Sequence, residues 1–261
     1  MRRSVRWGEL TAEELGDAAR AGALVLLPLG CTEQHAGHLP VDTDTYQVDR
    51  LTVEGGRKAA ERYDVDVLVL PPIPYGPAAE HDGYPGTISL SNTLYLELLR
   101  QVLWSAITSG FRRLAAVSGC GGHFVVPGAM WDLKVEARRA GYDVTLRVLR
   151  AGQDWRRLKE KYFPRGGGGH AAVVETALCL ASREHLVRRD KMRAPTLRMF
   201  EERYRDGGEA FVFSEVTDTG GLGDPAPATV EGGRALWEDL TDAFASTLKT
   251  LDEQDRRLGR R

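Results

Sequence analysis

The sequence has few cysteines, no long apolar run near its start and almost no excess of charge of either sign. Cys31, Cys120 and Cys179 are widely spaced and odd in number, so we expect no disulfide framework and a reducing, cytoplasmic location. The first residues lack the apolar stretch of a signal peptide or membrane-spanning helix, so we expect no membrane partner. The 35 basic and 37 acidic residues give a net charge of −2, so no binding of DNA or RNA is expected.

The composition and the order of apolar segments predict the fold class. The 261 residues are 42% hydrophobic and 28% charged, which is typical of a globular chain. Short apolar runs alternate with helical patterns, and this order predicts βαβ units with right-handed crossovers and a mostly parallel sheet. No linker, repeat or low-complexity tract divides the chain. We therefore expect an α/β fold, a three-layer α/β/α sandwich, in a single domain over residues 1–261.

Periodicity and end signals place the individual elements. Thr11 and Glu14 form a capping-box pattern at the start of the first helix, and Gly22 ends that helix. The predicted strands are residues 23–29, 66–70, 113–117 and 142–149. The predicted helices are residues 11–20, 46–62, 93–109, 129–140, 155–162, 171–182 and 229–252, while residues 201–213 are ambiguous.

The first cluster of polar side chains directly follows the first predicted strand, where residues 29–44 read LGCTEQHAGHLPVDTD. Glu33 and His35 are two residues apart, so in extended chain their side chains share one face, and Asp44 can close the set from the far side of the loop. Carboxylate with imidazole suits zinc, manganese or iron better than calcium or magnesium. The alternative is a polar surface loop with one or two helix caps.

The second cluster, SGCGGH at residues 118–123, follows the third predicted strand. Cys120 as a thiolate is a good zinc ligand, and the neighbouring glycines allow close approach of the backbone. Taken alone, Cys120 and His123 fit a loop thiol beside a turn equally well.

Two further groups contain histidine. His170 follows four glycines, and Glu175 lies a little over one helical turn on, so both can face roughly the same cavity. The alternative is a helix start with a carboxylate favoured by the helix dipole. His81, in the loop after the second strand, is either a group facing the substrate or a buried, hydrogen-bonded loop histidine. Because the clusters follow the first three strands, we expect them to gather at one edge of the sheet.

These segments resemble the creatininase family of metal-dependent amidohydrolases. The run EQHAGHLP, ending at Pro40 and followed by Thr43 and Asp44, is similar to the family signature E-Q-H-G-P-H-L-P with T-D a few residues on. The segments around His81, at residues 118–123, from His170 to Thr176 and at residues 223–235 resemble further family segments in the same order.

The resemblance implies a three-layer α/β/α fold, often hexameric, that opens or closes amide bonds of small, often cyclic, nitrogen compounds. By position it implies that Glu33, His35 and Asp44 are metal ligands, with Asp44 bridging two cations. It also implies that His170 is the catalytic histidine and that Glu175 is a ligand or a carboxylate next to the ligands. The implied cofactor is one or two divalent metal ions per chain, zinc first, with manganese or iron as alternatives.

The sequence departs from the family pattern at the second cluster. Cys120 replaces a ligand histidine, and His123 replaces the adjoining asparagine. The further glutamate of two-metal members is also missing, since Gly122 and Val173 occupy the two places it takes. One metal position then retains Glu33 and Asp44 with Cys120. The other retains His35 and Asp44, aided by His123 or Glu175, and the chain is expected to be a divergent member.

Two other functions remain open from the sequence. In the first, Cys120 is the nucleophile of a metal-free acyl hydrolase or transferase, with His123 or His170 as its base. In the second, the chain is a non-catalytic descendant that binds a small molecule or a structural metal.

Overall fold

The computed structural model describes residues 4–152, 155–165, 169–199 and 208–260. Its strands are β1 (Leu24–Leu29), β2 (Val67–Val69), β3 (Arg113–Ser118) and β4 (Thr145–Arg150). Its helices are α1 (Ala12–Arg20), α2 (Thr43–Tyr63), α3 (Asn92–Thr108), α4 (Val126–Arg139), α5 (Trp155–Tyr162), α6 (Val173–Arg183), α7 (Phe213–Val216) and α8 (Val230–Arg257). Of the ambiguous segment 201–213, residues 201–207 lie outside the described part of the chain.

The strands form one parallel sheet in the order β2-β1-β3-β4. β1 pairs with β3 along its whole length, from Leu24 opposite Arg113 to Leu29 opposite Ser118. The chain passes from β1 to β2 on one side and then crosses to β3 on the other. The carboxyl ends of β1 and β3 therefore meet where the strand order reverses, which is where open α/β sheets place their ligand sites.

Helices cover both faces of this sheet. All six residues of β1 are buried, and they alternate between two cores as the pleat of a strand requires. Leu24 and Leu26 face a core shared with α2, α6 and α8. Val25, Leu27 and Leu29 face a second core shared with α3 and α4. The predicted α/β fold, with a parallel sheet between two helical layers, is confirmed.

Local signals and long-range packing together set the helix ends. The predicted capping box at α1 is present, with Thr11 accepting from the Glu14 amide and Glu14 accepting from the Thr11 amide. α2 starts three residues earlier than predicted and continues through two glycines. A Cβ on Gly55 would lie 2.7 Å from Phe244 Cδ1, so glycine here lets α2 pack closely on α8. The early start of α2 places Asp44 in its first turn.

A buried ionic network anchors the sheet to α8. The Arg113 side chain is 1% exposed, and its guanidinium donates to Asp252 and Asp255 at 2.8 Å each. The same side chain donates to the Gly22 carbonyl at 2.9 Å. These bonds hold the amino edge of the sheet, opposite the edge that carries the polar clusters. No helix among the described residues is both long and apolar enough to cross a membrane.

Candidate metal centre

Three buried side chains follow β1 at alternate positions. Cys31, Glu33 and His35 are each at most 1% exposed. Asp44 reaches the same place from the first turn of α2, and its Oδ1 lies 3.1 Å from His35 Nε2. Asp44 therefore meets these side chains from the far side of the loop, where α2 begins.

His35 presents one ring nitrogen to two carboxylates. Its Nδ1–H donates to the Glu33 carbonyl oxygen at 3.0 Å. This leaves Nε2 facing Asp44 Oδ1 at 3.1 Å and Glu175 Oε2 at 4.0 Å. Burial disfavours the charged ring, but the charge of Asp44 and its hydrogen bond outweigh burial and raise the pKa of His35 to about 10. This arrangement strongly favours a positive charge at Nε2.

The carboxylates around His35 are crowded and buried. Burial, reinforced by neighbouring negative charge, raises the pKa of Asp44 to about 6 and that of Glu175 to about 8. Burial also opposes ionisation of Glu33, but the hydrogen bond from His81 and the positive charge of His35 hold the pKa of Glu33 well below its usual range. A divalent cation would lower the pKa of both carboxylates, so that Glu175 as well as Asp44 would ionise at neutral pH.

His81 and His170 lie against Glu33. The Gln34 side-chain amide donates to His81 Nδ1 at 2.8 Å, so His81 Nε2–H donates to Glu33 Oε1 at 3.2 Å. His170 Nε2 lies 2.5 Å from the Gln34 carbonyl oxygen, and its Nδ1 lies 3.5 Å from Glu33 Oε1. Burial and the charge of His35 hold the pKa of His170 well below its usual range. His170 is therefore neutral at neutral pH.

Cys31, Cys120 and His123, which we call the thiol cluster, converge beside the carboxylates. Their ligand atoms all lie within 4.8 Å of one another. Cys31 Sγ is 3.6 Å from His123 Nε2. Cys120 Sγ donates to Glu33 Oε2 at 3.4 Å and accepts from the Gly122 amide at 3.3 Å. The thiol cluster thus borders the same carboxylate that His81 and His170 contact.

The donor set fits a divalent transition metal. Ligand atoms of Cys31, Glu33, Asp44 and Cys120 all lie within 4.8 Å of one another. On the other side of Asp44, ligand atoms of His35, His170 and Glu175 meet the same limit. Thiolate, imidazole and carboxylate are the ligands that zinc takes in proteins.

The family model Creatininase (creatinine amidohydrolase) matches residues 8–248. The chain belongs to the creatininase family. The mycofactocin precursor peptide peptidase of Mycolicibacterium smegmatis is 32% identical over 235 residues, which cover 87% of this chain and 84% of that protein. The creatinine amidohydrolase of Pseudomonas putida is 31% identical over 210 residues, which cover 74% of this chain and 77% of that protein.

A solved creatininase superposes with a TM-score of 0.80 at 25% identity, covering 95% of this chain and 98% of the other. Solved creatininases include zinc and manganese forms. Family membership and the donor set together identify the chain as a metal-dependent amidohydrolase, an enzyme that hydrolyses C–N bonds.

The structure brings together every side chain that the sequence singled out for the site. These are Glu33, His35, Asp44, His81, Cys120, His123, His170 and Glu175. Glu175 lies beside His35, whereas His123 lies with the thiols on the other side of Asp44. Of the two groups predicted to aid His35, the structure therefore places Glu175 there.

Sequence reasoning missed two contributors. Cys31 stands two residues before Glu33, the same spacing as Glu33 and His35, so alternation along the chain could have found it. Gln34 connects the site histidines, and its amide also donates to the Gly220 carbonyl at 2.8 Å. Nothing in the local sequence predicts these long-range bonds.

Proposed function

We propose that this enzyme hydrolyses an amide or lactam bond of a small nitrogen compound, or closes such a bond in reverse. The observation that supports this most directly is the position of neutral His170. Its Nδ1 lies 3.5 Å from Glu33, a carboxylate of the candidate metal centre. A group that moves protons and a set of metal donors thus share one buried place.

The residues that would hold the metal are Glu33, His35, Asp44 and Cys120, with Glu175 as a further ligand or a carboxylate next to the ligands. When bound, a divalent metal lowers the pKa of water toward about 7 and polarises the carbonyl oxygen of an amide. Zinc is the metal that the thiol and imidazole donors favour, with manganese or iron as alternatives. One or two ions per chain fit the donors on the two sides of Asp44.

His170 would carry the proton. Its Nε2–H donates to the Gln34 carbonyl, which leaves the Nδ1 lone pair directed toward Glu33. A neutral imidazole held in this way accepts a proton from the attacking water at Nδ1 and delivers it to the leaving nitrogen. The rings of His35 and His81 pack against the His170 ring at a tilt of 47°, with centroids 4.2 and 4.5 Å away, and restrict its orientation.

A peptide bond is the second candidate substrate. Curated relatives at 31–32% identity are named as peptide peptidases, and the chain covers 84–90% of their length. A peptide bond and a lactam are both amides, so the same donors and the same proton carrier serve either one.

The rival mechanism with Cys120 as a nucleophile is not favoured by its surroundings. A reactive thiol needs a positive neighbour that lowers its pKa. Here the hydrogen bond with Cys31, burial and the charges of Glu33 and Asp44 raise the pKa of Cys120 well above its usual value. Turnover that survives a chelator and is lost to a thiol-alkylating reagent would restore this rival.

We infer assembly into a homo-oligomer, a hexamer by analogy with the family. We also infer one catalytic domain over the whole chain, because no linker or repeat divides it, and a location in the cytoplasm, because its three cysteines are widely spaced and odd in number.

His170→Ala tests the role of the proton carrier. The variant should lose turnover of whichever lactam, acyl amide or short peptide the wild type cleaves, yet bind the same amount of metal. His185→Ala is the matched control, because His185 is exposed on the surface, and it should behave as wild type. Loss of metal together with turnover in His170→Ala would show that His170 is a ligand, and retained turnover would contradict the proposal.

A further inference from the structure

Sheet register places two thiols side by side at the carboxyl edge. Leu29 of β1 is directly opposite Ser118 of β3. Cys31 and Cys120 each lie two residues beyond these ends, so the two parallel strands deliver both sulfur atoms to the same point. Both sulfurs also lie next to Glu33 and Asp44, with all four ligand atoms within 4.8 Å of one another.

His123 directs its unprotonated ring nitrogen toward these thiols. The Ser118 hydroxyl donates to the Cys120 carbonyl at 3.2 Å, so its oxygen accepts from His123 Nδ1–H at 3.2 Å. Nε2 then carries the lone pair, and it lies 3.6 Å from Cys31 Sγ. A hydrogen bond that fixes the tautomer through the other ring nitrogen is the usual support of a metal-binding histidine.

A buried tyrosine packs against the thiol cluster. Tyr95 is fully buried, and its ring stacks on His123 with centroids 5.4 Å apart. Among the described residues, Tyr95 Oη has no hydrogen-bond partner. A buried hydroxyl without a partner is costly.

We propose that Cys31, Cys120 and His123 together bind one metal ion through two sulfurs and one nitrogen. The inference deepens the metal centre proposed above and rests on it, but it concerns which atoms contact the ion. Two thiols release their protons when the ion binds, and soft sulfur donors favour zinc, cadmium or cobalt over manganese or magnesium. The two sides of Asp44 would then differ, with sulfur donors on one side and oxygen and nitrogen donors on the other.

Zinc X-ray absorption of the full chain, purified without air and loaded with one equivalent of zinc, tests this assignment. We expect a sulfur shell at about 2.3 Å, beside nitrogen and oxygen at about 2.0–2.1 Å, with two sulfurs per zinc. Cys31→Ala should halve the sulfur count. Cys179→Ala is the matched control, because Cys179 is buried elsewhere against Gln47 and should leave the count unchanged.

A second readout uses Co²⁺ in place of zinc. Wild type and Cys179→Ala should show a near-ultraviolet charge-transfer band from sulfur to cobalt, weakened in Cys31→Ala and in Cys120→Ala.

The failures of the two proposals are distinguishable. A zinc shell of nitrogen and oxygen alone, or a count of one sulfur per zinc that Cys31→Ala does not change, would overturn the thiol-cluster assignment. If turnover is still lost to a chelator in that case, the proposed function is unaffected. Turnover that needs no metal would overturn both.

Discussion

Replacing Gly76 with alanine should weaken metal binding without removing any ligand. Gly76 lies in the loop after β2, and a Cβ here would fall 2.6 Å from Cys31 Sγ and 2.8 Å from His123 Nε2. Ordinary contacts between such atoms are about 3.5–4.0 Å, so the loop and the two donors must separate by about 1 Å. Gly76 does not have a positive φ, so the effect of the alanine is steric rather than a matter of backbone strain.

The size of the effect follows from this displacement. Overpacking a tight contact costs about 1–3 kcal/mol, which we expect as a loss of stability in the metal-free protein. Metal donors must be held to within about 0.5 Å of their working geometry, and disturbing their support typically lowers metal affinity about 10–100-fold. We therefore expect the zinc affinity of Gly76→Ala to fall by that factor.

Competition with a coloured chelator measures this affinity directly. Gly121→Ala is the matched control, because it lies in the neighbouring loop and a Cβ there meets nothing within 4 Å. Gly121→Ala should bind zinc as the wild type does. A folded Gly76→Ala protein with unchanged zinc affinity would show that Cys31 and His123 are not metal ligands.

Three further predictions concern stability. Burial and the charge of His35 lower the pKa of His38 to about 4, so the unfolded chain takes up its proton near pH 6.5 before the folded chain does. His38 should therefore reduce the free energy of unfolding by about 1.4 kcal/mol between pH 7.5 and 5.5, a loss absent in His38→Gln when both are unfolded with denaturant. Arg113→Ala should lower the free energy of unfolding by about 3–5 kcal/mol in the same assay, because Asp252 and Asp255 each lose a buried partner. Arg57→Ala breaks only a surface pair with Glu61 and should lower the free energy of unfolding by under about 1 kcal/mol. Equal costs would contradict the role of burial. Zinc at about 1,000 times its dissociation constant should add about 4 kcal/mol to the stability of the metal-free protein, and thermal melts that zinc does not shift would contradict binding to the folded state.

The sequence predicts an element of the fold correctly where its local signals and its apolar pattern agree. The capping box of α1 and the continuous apolar run of β1 need only neighbouring residues, and both were predicted. Glycine is a poor helix former, yet Gly55 lies inside α2 and lets this helix approach Phe244 of α8 closely. Such a contact across almost the whole chain cannot be inferred from the sequence of α2.

The sequence predicts which residues contribute to the site, but it does not predict how they are arranged in space. Glu33, His35 and Asp44 stand out because potential ligands follow a buried strand so closely. The partnership of Cys31 with Cys120 depends on β1 pairing with β3 in one register. Strand order and register come from packing between distant segments, so the sequence alone gives Cys31 no partner.

The activity of this chain depends on a bound divalent metal. Elemental analysis of metal per chain, on protein purified without chelator or histidine tag, tests it most directly when the same preparation is assayed for amide hydrolysis. We expect one or two equivalents of zinc, manganese or iron, with hydrolysis lost when they are stripped and regained when they are restored. Active protein that contains none of these metals would contradict it.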